Sequence, residues 1–179
     1  MSASTTELIS GLIRDVPDFP EPGVTFKDIT PLLADPEGFA VATRALGEAF
    51  PGPVDAVFGM EARGFILGSV VARELGCGFV PVRKPGKLPR EVHSEDYQLE
   101  YGSATLQVHA DAVRPGARVL VVDDILATGG TVGAVASLVA DLSAELVGVS
   151  VLLELVGLGG RTRLADAGVT DISAILTVA

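Results

Sequence analysis

This chain is poor in the residues that cross-link proteins and in positive charge. One cysteine, Cys77, in 179 residues excludes an internal disulfide framework and any zinc site built from several thiolates. Cys77 itself reads as a small buried apolar residue. The two histidines, His93 and His109, lie far apart in the chain and do not suggest a histidine-based metal site. Tryptophan is absent. Lys and Arg number 13 against 23 Asp and Glu, so the formal net charge is −10. A chain of that sign is repelled as a whole by nucleic acid and by anionic lipid. Long apolar runs are missing as well, although 48% of residues are hydrophobic. The longest uncharged stretch, Ile125–Ala140, is interrupted by Thr128, Gly129, Gly130 and Thr131. It falls short of the roughly 20 apolar residues a membrane span needs. Met1–Ile13 has Glu7 and no basic residue, unlike the charged start of a signal peptide. The expectation is a cytoplasmic protein of one domain, residues 1–179, with no nucleic-acid or membrane partner.

What is present is a regular alternation of apolar segments. Leu8, Ile9, Leu12 and Ile13 recur at helical spacing after Ser4-Thr5-Thr6-Glu7, which has the spacing of a capping box. Asp15–Gly23 carries three prolines and reads as an extended loop. Pro31–Ala34 reads as a turn. Asp35-Pro36 begins a helix that carries Phe39, Ala42, Leu46 and Phe50 on one face. Strands are expected at Val54–Gly59, Phe79–Arg83, Val119–Val122, Leu146–Leu153 and Ile172–Val178. Helices are expected at Gly64–Leu75, Thr131–Leu142 and Arg161–Ala167. Doubly apolar strands alternating with helices define an α/β fold with a mainly parallel central sheet. Glu91–Gln107 breaks the rhythm. It is polar, has Tyr-Gly-Ser at 101–103 as a turn, and alternates in part at Ala104, Leu106 and Val108, so it reads as a hairpin that is either a functional loop over a site or a surface decoration.

The sharpest motif is the run Val119–Thr131, in which a buried strand leads into Asp123-Asp124 and then into a glycine-bearing loop and a helix. Open parallel sheets bind ligands at the carboxyl ends of their strands. Glycine lets the backbone approach an anion, and a helix N-terminus offers free N–H groups. Ala127, Thr128, Gly129, Gly130 and Thr131 therefore form a candidate monophosphate cradle. Asp123 and Asp124 can accept hydrogen bonds from a sugar diol, and the two together suit ribose 5-phosphate. Other phosphate motifs fail: Pro81 stands where a Walker loop ending at Lys87 needs glycine, and no Gly-x-Gly-x-x-Gly follows the first strand. Against the acidic background, Arg83, Lys84, Lys87 and Arg90 cluster without an intervening acid.

These residues carry a resemblance. Val121–Thr131 resembles the phosphoribosyl-pyrophosphate (PRPP) signature of the type I phosphoribosyltransferases. Phe19–Thr30, Gly59–Phe65, Val82–Pro89 and Tyr97–Gly102 resemble the adenine-using members of that family, and the similarity runs from about Phe19 to Leu164. The resemblance implies a hood built from residues 1–34 and late-chain elements, and a flexible catalytic loop at 89–108. It implies transfer of the phosphoribosyl group from PRPP to adenine, giving AMP and pyrophosphate, with Mg²⁺ carried mainly by PRPP. It also implies a homodimer. Arg63, Arg83, Lys84 and Lys87 would grip the pyrophosphate, with a cis peptide typical in the Glu61–Gly64 loop. Arg90 matches no such contact and reads as surface. Phe26 would pack on the purine, with the backbone of Thr25 and Lys27 reading its edge; the alternative for Phe26 is ordinary core. Leu155 either closes the other face of the base or is core. Glu100 would exchange a proton with the purine, beside Tyr101 on the closing loop. Asp123 or Asp124 would stabilise the charged sugar. Two alternatives stay open: an enzyme for a 6-oxopurine such as xanthine or hypoxanthine, and a non-catalytic regulator that senses PRPP.

Overall fold

Aliphatic runs too short to be anything but buried strands set the frame, with proline and glycine marking the breaks between them. The computed structural model describes residues 3–98 and 103–178. The chain divides into two units, Met1–Ala45 and Leu46–Ala179.

The first unit begins with helix α1 (Ala3–Gly11), which takes in the whole of the expected capping box. Strands β1 (Arg14–Val16) and β2 (Phe26–Asp28) follow and pair antiparallel. Neither strand is evident in the sequence. Pro17, Pro20 and Pro22 all fall in the connection between them, where no ladder donor is required. Pro31–Ala34, expected as a turn, belongs to a short helix, α2 (Thr30–Ala34), with its proline near the start. Helix α3 (Pro36–Glu48) begins where Asp35-Pro36 predicts and runs into the second unit. Asp35 accepts a hydrogen bond from the Gly38 amide at 2.7 Å, an N-cap interaction.

The second unit continues with β3 (Ala56–Met60), α4 (Arg63–Leu75) and β4 (Gly78–Val82). The polar excursion is an antiparallel hairpin of β5 (Val92–Gln98) and β6 (Ser103–His109). Then come β7 (Arg118–Leu126), α5 (Gly130–Asp141), β8 (Glu145–Leu155), a 3-10 turn (Val156–Leu158), α6 (Gly160–Asp166) and β9 (Ile172–Val178). The five-stranded sheet has the order β4-β3-β7-β8-β9 and is parallel throughout.

Val119, Leu120, Val121 and Val122 in β7 are completely buried, as are Val149, Val151 and Leu152 in β8. Each such side chain contributes about 1.5–3 kcal/mol of transfer free energy. That commitment fixes β7 on both faces. The strand does not end at Val122, as its aliphatic run suggests. It continues to Leu126, because β8 supplies partners as far as Glu154. Asp123 and Asp124 are therefore strand residues held by a packed sheet.

The connection through α4 carries the chain from β3 to one side, and the connection through α5 carries it from β7 to the other. The reversal lies between β3 and β7. Their carboxyl ends consequently border a crevice that neither crossover helix covers.

Candidate active site

At that reversal, the ends of β3 and β7, the start of α4, the turn after β4 and the hairpin enclose a cavity of about 300 Å³. Arg63, Lys84, Asp123, Asp124 and the whole run Ala127–Thr131 line it, as do Glu61, Tyr97 and Leu106.

Asp123 and Asp124 are 9% and 4% exposed. Asp123 Oδ1 accepts the Asp124 amide at 2.9 Å, and Arg63 Nε lies 2.8 Å from Asp124 Oδ2. Burial, followed by the neighbouring Asp124 charge, pushes the Asp123 carboxyl well above the ordinary aspartate range. Burial also raises Asp124, and Arg63 opposes that rise. The charge of Arg63 thus acts on both carboxylates, with its 2.8 Å contact to Asp124.

The peptide between Glu61 and Ala62 is cis, as the resemblance implies. After Leu126 the chain bends through Ala127–Gly129 and enters α5 at Gly130. Gly129 has a φ of 81°, a left-handed conformation that side chains disfavour. The cradle residues and the α5 N-terminus all face the cavity, the arrangement that anion binding requires.

The basic turn is arranged differently from a simple cationic wall. Of its members, Lys84 lines the cavity. Arg83 Nε lies 3.1 Å from Glu61 Oε2, and Lys87 Nζ lies 2.9 Å from Glu61 Oε1. Burial pushes Glu61 upward, but hydrogen bonds from Lys87, Arg83 and the Lys84 backbone outweigh it and hold the carboxyl below its ordinary value. Arg83 also stands 5.7 Å over the Phe65 ring and pairs through its backbone with Gln107 of the hairpin. Arg90 pairs with exposed Asp111, in keeping with a surface residue.

Thr25, Phe26 and Lys27 belong to the first unit. Phe26 is half-buried in β2 with its ring 5.2 Å from Phe19, and Lys27 Nζ pairs with Asp15 at 2.7 Å. Leu155 is half-buried at the end of β8. Glu100 and Tyr101 lie outside the described residues. Three contributors escape a reading of the sequence. Glu61 sits inside the Gly59–Phe65 segment, yet nothing in that segment marks it as the anchor of Arg83 and Lys87. Tyr97 and Leu106 reach the cavity only because the hairpin folds over it. Among the described residues no group of three or more His, Cys, Asp or Glu is placed to hold a metal, and no helix is long and apolar enough to cross a membrane.

Adjacent carboxylates running into a glycine-bent anion cradle, at the reversal of a parallel sheet, define the phosphoribosyltransferase class. The family described as Phosphoribosyl transferase domain matches residues 30–174. An adenine phosphoribosyltransferase of Cutibacterium acnes is 64% identical over 172 residues, covering 96% of this chain and 97% of that protein. The crystal structure of adenine phosphoribosyltransferase from Rhodothermus marinus superposes with a TM-score of 0.93 at 50% identity, covering 99% of this chain and 100% of that one. The Saccharomyces cerevisiae adenine phosphoribosyltransferase, solved with adenine and an imino-altritol bisphosphate, gives 0.91 at 38% identity, covering 98% of this chain and 100% of that one. The chain belongs to the adenine phosphoribosyltransferase family.

Proposed function

We propose that the protein transfers the 5-phosphoribosyl group of PRPP to adenine in purine salvage, releasing AMP and pyrophosphate. The observation that carries this reading is the buried Asp123-Asp124 pair leading directly into the Ala127–Thr131 cradle. The cradle amides, with the Thr128 and Thr131 hydroxyls, hold the 5-phosphate. Asp123 and Asp124 accept hydrogen bonds from the ribose hydroxyls. They also stabilise the positive charge that develops as the bond from the anomeric carbon to pyrophosphate breaks. Arg63 and Lys84, joined by Arg83 and Lys87 from their station on Glu61, receive the leaving pyrophosphate. By the family resemblance, Phe26 packs on the purine and the backbone of Thr25 and Lys27 reads its edge, and Leu155 is assigned to the base on the same ground. Glu100 takes the proton that adenine N9 loses as the new bond forms, and Tyr101 belongs to the loop that closes over the site.

The donor set suits Mg²⁺ that arrives with its substrate, because the cavity offers the Asp123-Asp124 carboxylate pair, and Mg²⁺ is commonly held by one or two carboxylates together with substrate phosphates. Such an ion would be held by PRPP oxygens near Asp123 and Asp124, and when bound it would neutralise charge on the leaving group. The homodimer rests on the family resemblance, and the cytoplasmic location is in keeping with a single cysteine.

The test is pyrophosphate release from PRPP and Mg²⁺ with adenine, hypoxanthine, xanthine and guanine compared side by side. Adenine as the preferred base supports the proposal. Faster turnover of a 6-oxopurine would replace it with the oxopurine activity, and PRPP binding without turnover of any base would replace it with a sensor.

A further inference from the structure

The cradle has a second wall, made of backbone and contributed by a segment about thirty residues further along the chain. A Cβ built on Gly160 would lie 2.2 Å from the Ala127 carbonyl oxygen and 3.1 Å from the Gly129 nitrogen. A Cβ on Gly129 would lie 2.8 Å from the Gly160 carbonyl oxygen. Approaches this short leave no room for a side chain on either residue. Gly160 is buried and lacks a left-handed φ, so its own backbone conformation does not demand glycine. The close approach does.

The first turn of α6 is fastened in that position. Arg161 forks onto Glu154, with Nε 3.0 Å from Oε1 and Nη2 2.5 Å from Oε2. Its remaining Nη1 donates to the Ile172 carbonyl of β9 at 2.8 Å. Glu154 is 5% exposed, and its hydrogen bond raises the guanidinium above its ordinary value. A bidentate pair of this kind fixes orientation as well as distance. Glu154 is also the register partner of Leu126, the last β7 residue before the cradle. The contacts therefore close a ring: Leu126 to Glu154, Glu154 to Arg161, and Gly160 back to Ala127.

We propose that Gly160, held by the Arg161–Glu154 pair, is a positioning element for the 5-phosphate loop. It touches no ligand itself. It fixes the Ala127 peptide and so aims the cradle amides. The ligands it serves are ribose 5-phosphate esters such as PRPP and AMP. Inorganic pyrophosphate, which has no sugar 5-phosphate, is indifferent to it. This inference rests on the proposed function and adds to it a residue outside the cavity wall.

The test uses Gly160→Ala, with KM for PRPP, Kd for AMP and ribose 5-phosphate, the inhibition constant for magnesium pyrophosphate, and Tm. We expect the 5-phosphate ligands to weaken about tenfold or more, because small misplacement of a binding loop is costly. The pyrophosphate constant should stay within about twofold, since its contacts lie elsewhere. Arg161→Lys keeps the charge but loses the fork, and should show the same pattern at about three- to tenfold. It decides the question alone if Gly160→Ala does not fold. Val119→Ala supplies a destabilised control: it opens a cavity at the start of β7, about 25 Å along the strand from the cradle. Unchanged AMP and PRPP constants in the α6 variants would overturn the proposal. So would parallel weakening of pyrophosphate, or an equal loss of AMP affinity in Val119→Ala at a similar fall in Tm. Wild-type turnover of adenine, measured in the same assay, separates failure of this inference from failure of the assigned reaction.

Discussion

Replacing Asp123 with asparagine sets the needs of catalysis against those of folding. Asp123 is 9% exposed, and the adjacent cation, Arg63, pairs with Asp124. Asparagine keeps the Oδ1 acceptor used by the Asp124 amide and nearly the same volume, but removes the charge. Relief of a buried charge that shares its one nearby cation with Asp124 is expected to stabilise the protein by about 1–2 kcal/mol. For a chain of this size, each kcal/mol shifts Tm by about 2–4 °C. Asp123 in the folded protein holds its proton well above the ordinary value of 3.8. The stability it contributes is therefore complete below the unfolded value and is lost as pH rises through the folded one. The variant should consequently exceed the wild type most at mildly alkaline pH, and the gap should close as the solution is acidified. Activity should move the other way. The lost charge-assisted acceptor for a ribose hydroxyl is worth about 1.5–3 kcal/mol, or about 10- to 150-fold in kcat/KM for PRPP. Thermal denaturation across pH, alongside initial rates with adenine, reads both effects. A variant less stable than wild type at alkaline pH, or a gap that widens in acid, would refute the electrostatic account. Undiminished turnover would refute the sugar-binding role.

Glu61→Gln should have the opposite pH signature: Glu61 is held below its ordinary value, so its contribution is present above the unfolded value and lost as pH falls through the folded one. Arg83 and Lys87 are 33% and 48% exposed, so screening limits the loss at neutral pH to about 1 kcal/mol; the check is a shallower acid limb in the variant's Tm profile. Arg63→Ala removes the cation that opposes the rise of Asp124, so the acid limb of the kcat/KM profile should move to higher pH, and an unmoved limb would separate Arg63 from the carboxylate pair. Glu100→Gln should lower single-turnover chemistry more than PRPP binding, and a quench-flow burst equal to wild type would remove Glu100 from proton transfer.

The legibility of the sequence followed how local each physical cause is. Strands β3, β7 and β8 are evident because the interior of a parallel sheet buries both faces and leaves continuous aliphatic runs. The Asp123–Thr131 region was evident because one continuous segment carries a whole subsite. Strands β1 and β2 were not, because three residues each give no period to detect and their pairing is a tertiary event. The full extent of β7 is hidden for a related reason: Asp123 and Asp124 disfavour strand locally, and the ladder to β8 overrides them. Least legible was the support behind the cradle. Glu61 under Arg83, and Gly160 behind Ala127, are contacts between segments distant in sequence. No pattern within either segment announces them.

The same distinction bears on how an acidic chain accommodates an anionic substrate. The turn at Arg83–Lys87 suggests a pocket of surplus positive charge, but folding sets two of its three cations on the one carboxylate of Glu61. Arg63 goes to Asp124, and Arg83 and Lys87 go to Glu61. Among the described residues lining the cavity, the cations are Arg63 and Lys84 and the acids are Glu61, Asp123 and Asp124. With Arg83 and Lys87 counted beside the Glu61 they pair with, the formal charge around the cavity is close to balanced, so net potential is not the main thing that draws a phosphate in. Direction is. Backbone amides at 127–131 are fixed before the ligand arrives, cost nothing to reorganise, and act at contact distance where screening is weak. The carboxylates then work in favour of specificity. A simple anion meets Asp123 and Asp124 as repulsion, while a ribose phosphate presents hydroxyl donors to the same oxygens and turns that repulsion into hydrogen bonds. A site built in this way discriminates by the arrangement of donors and acceptors along the ligand, and it can do so inside a protein whose overall charge has the same sign as its substrate.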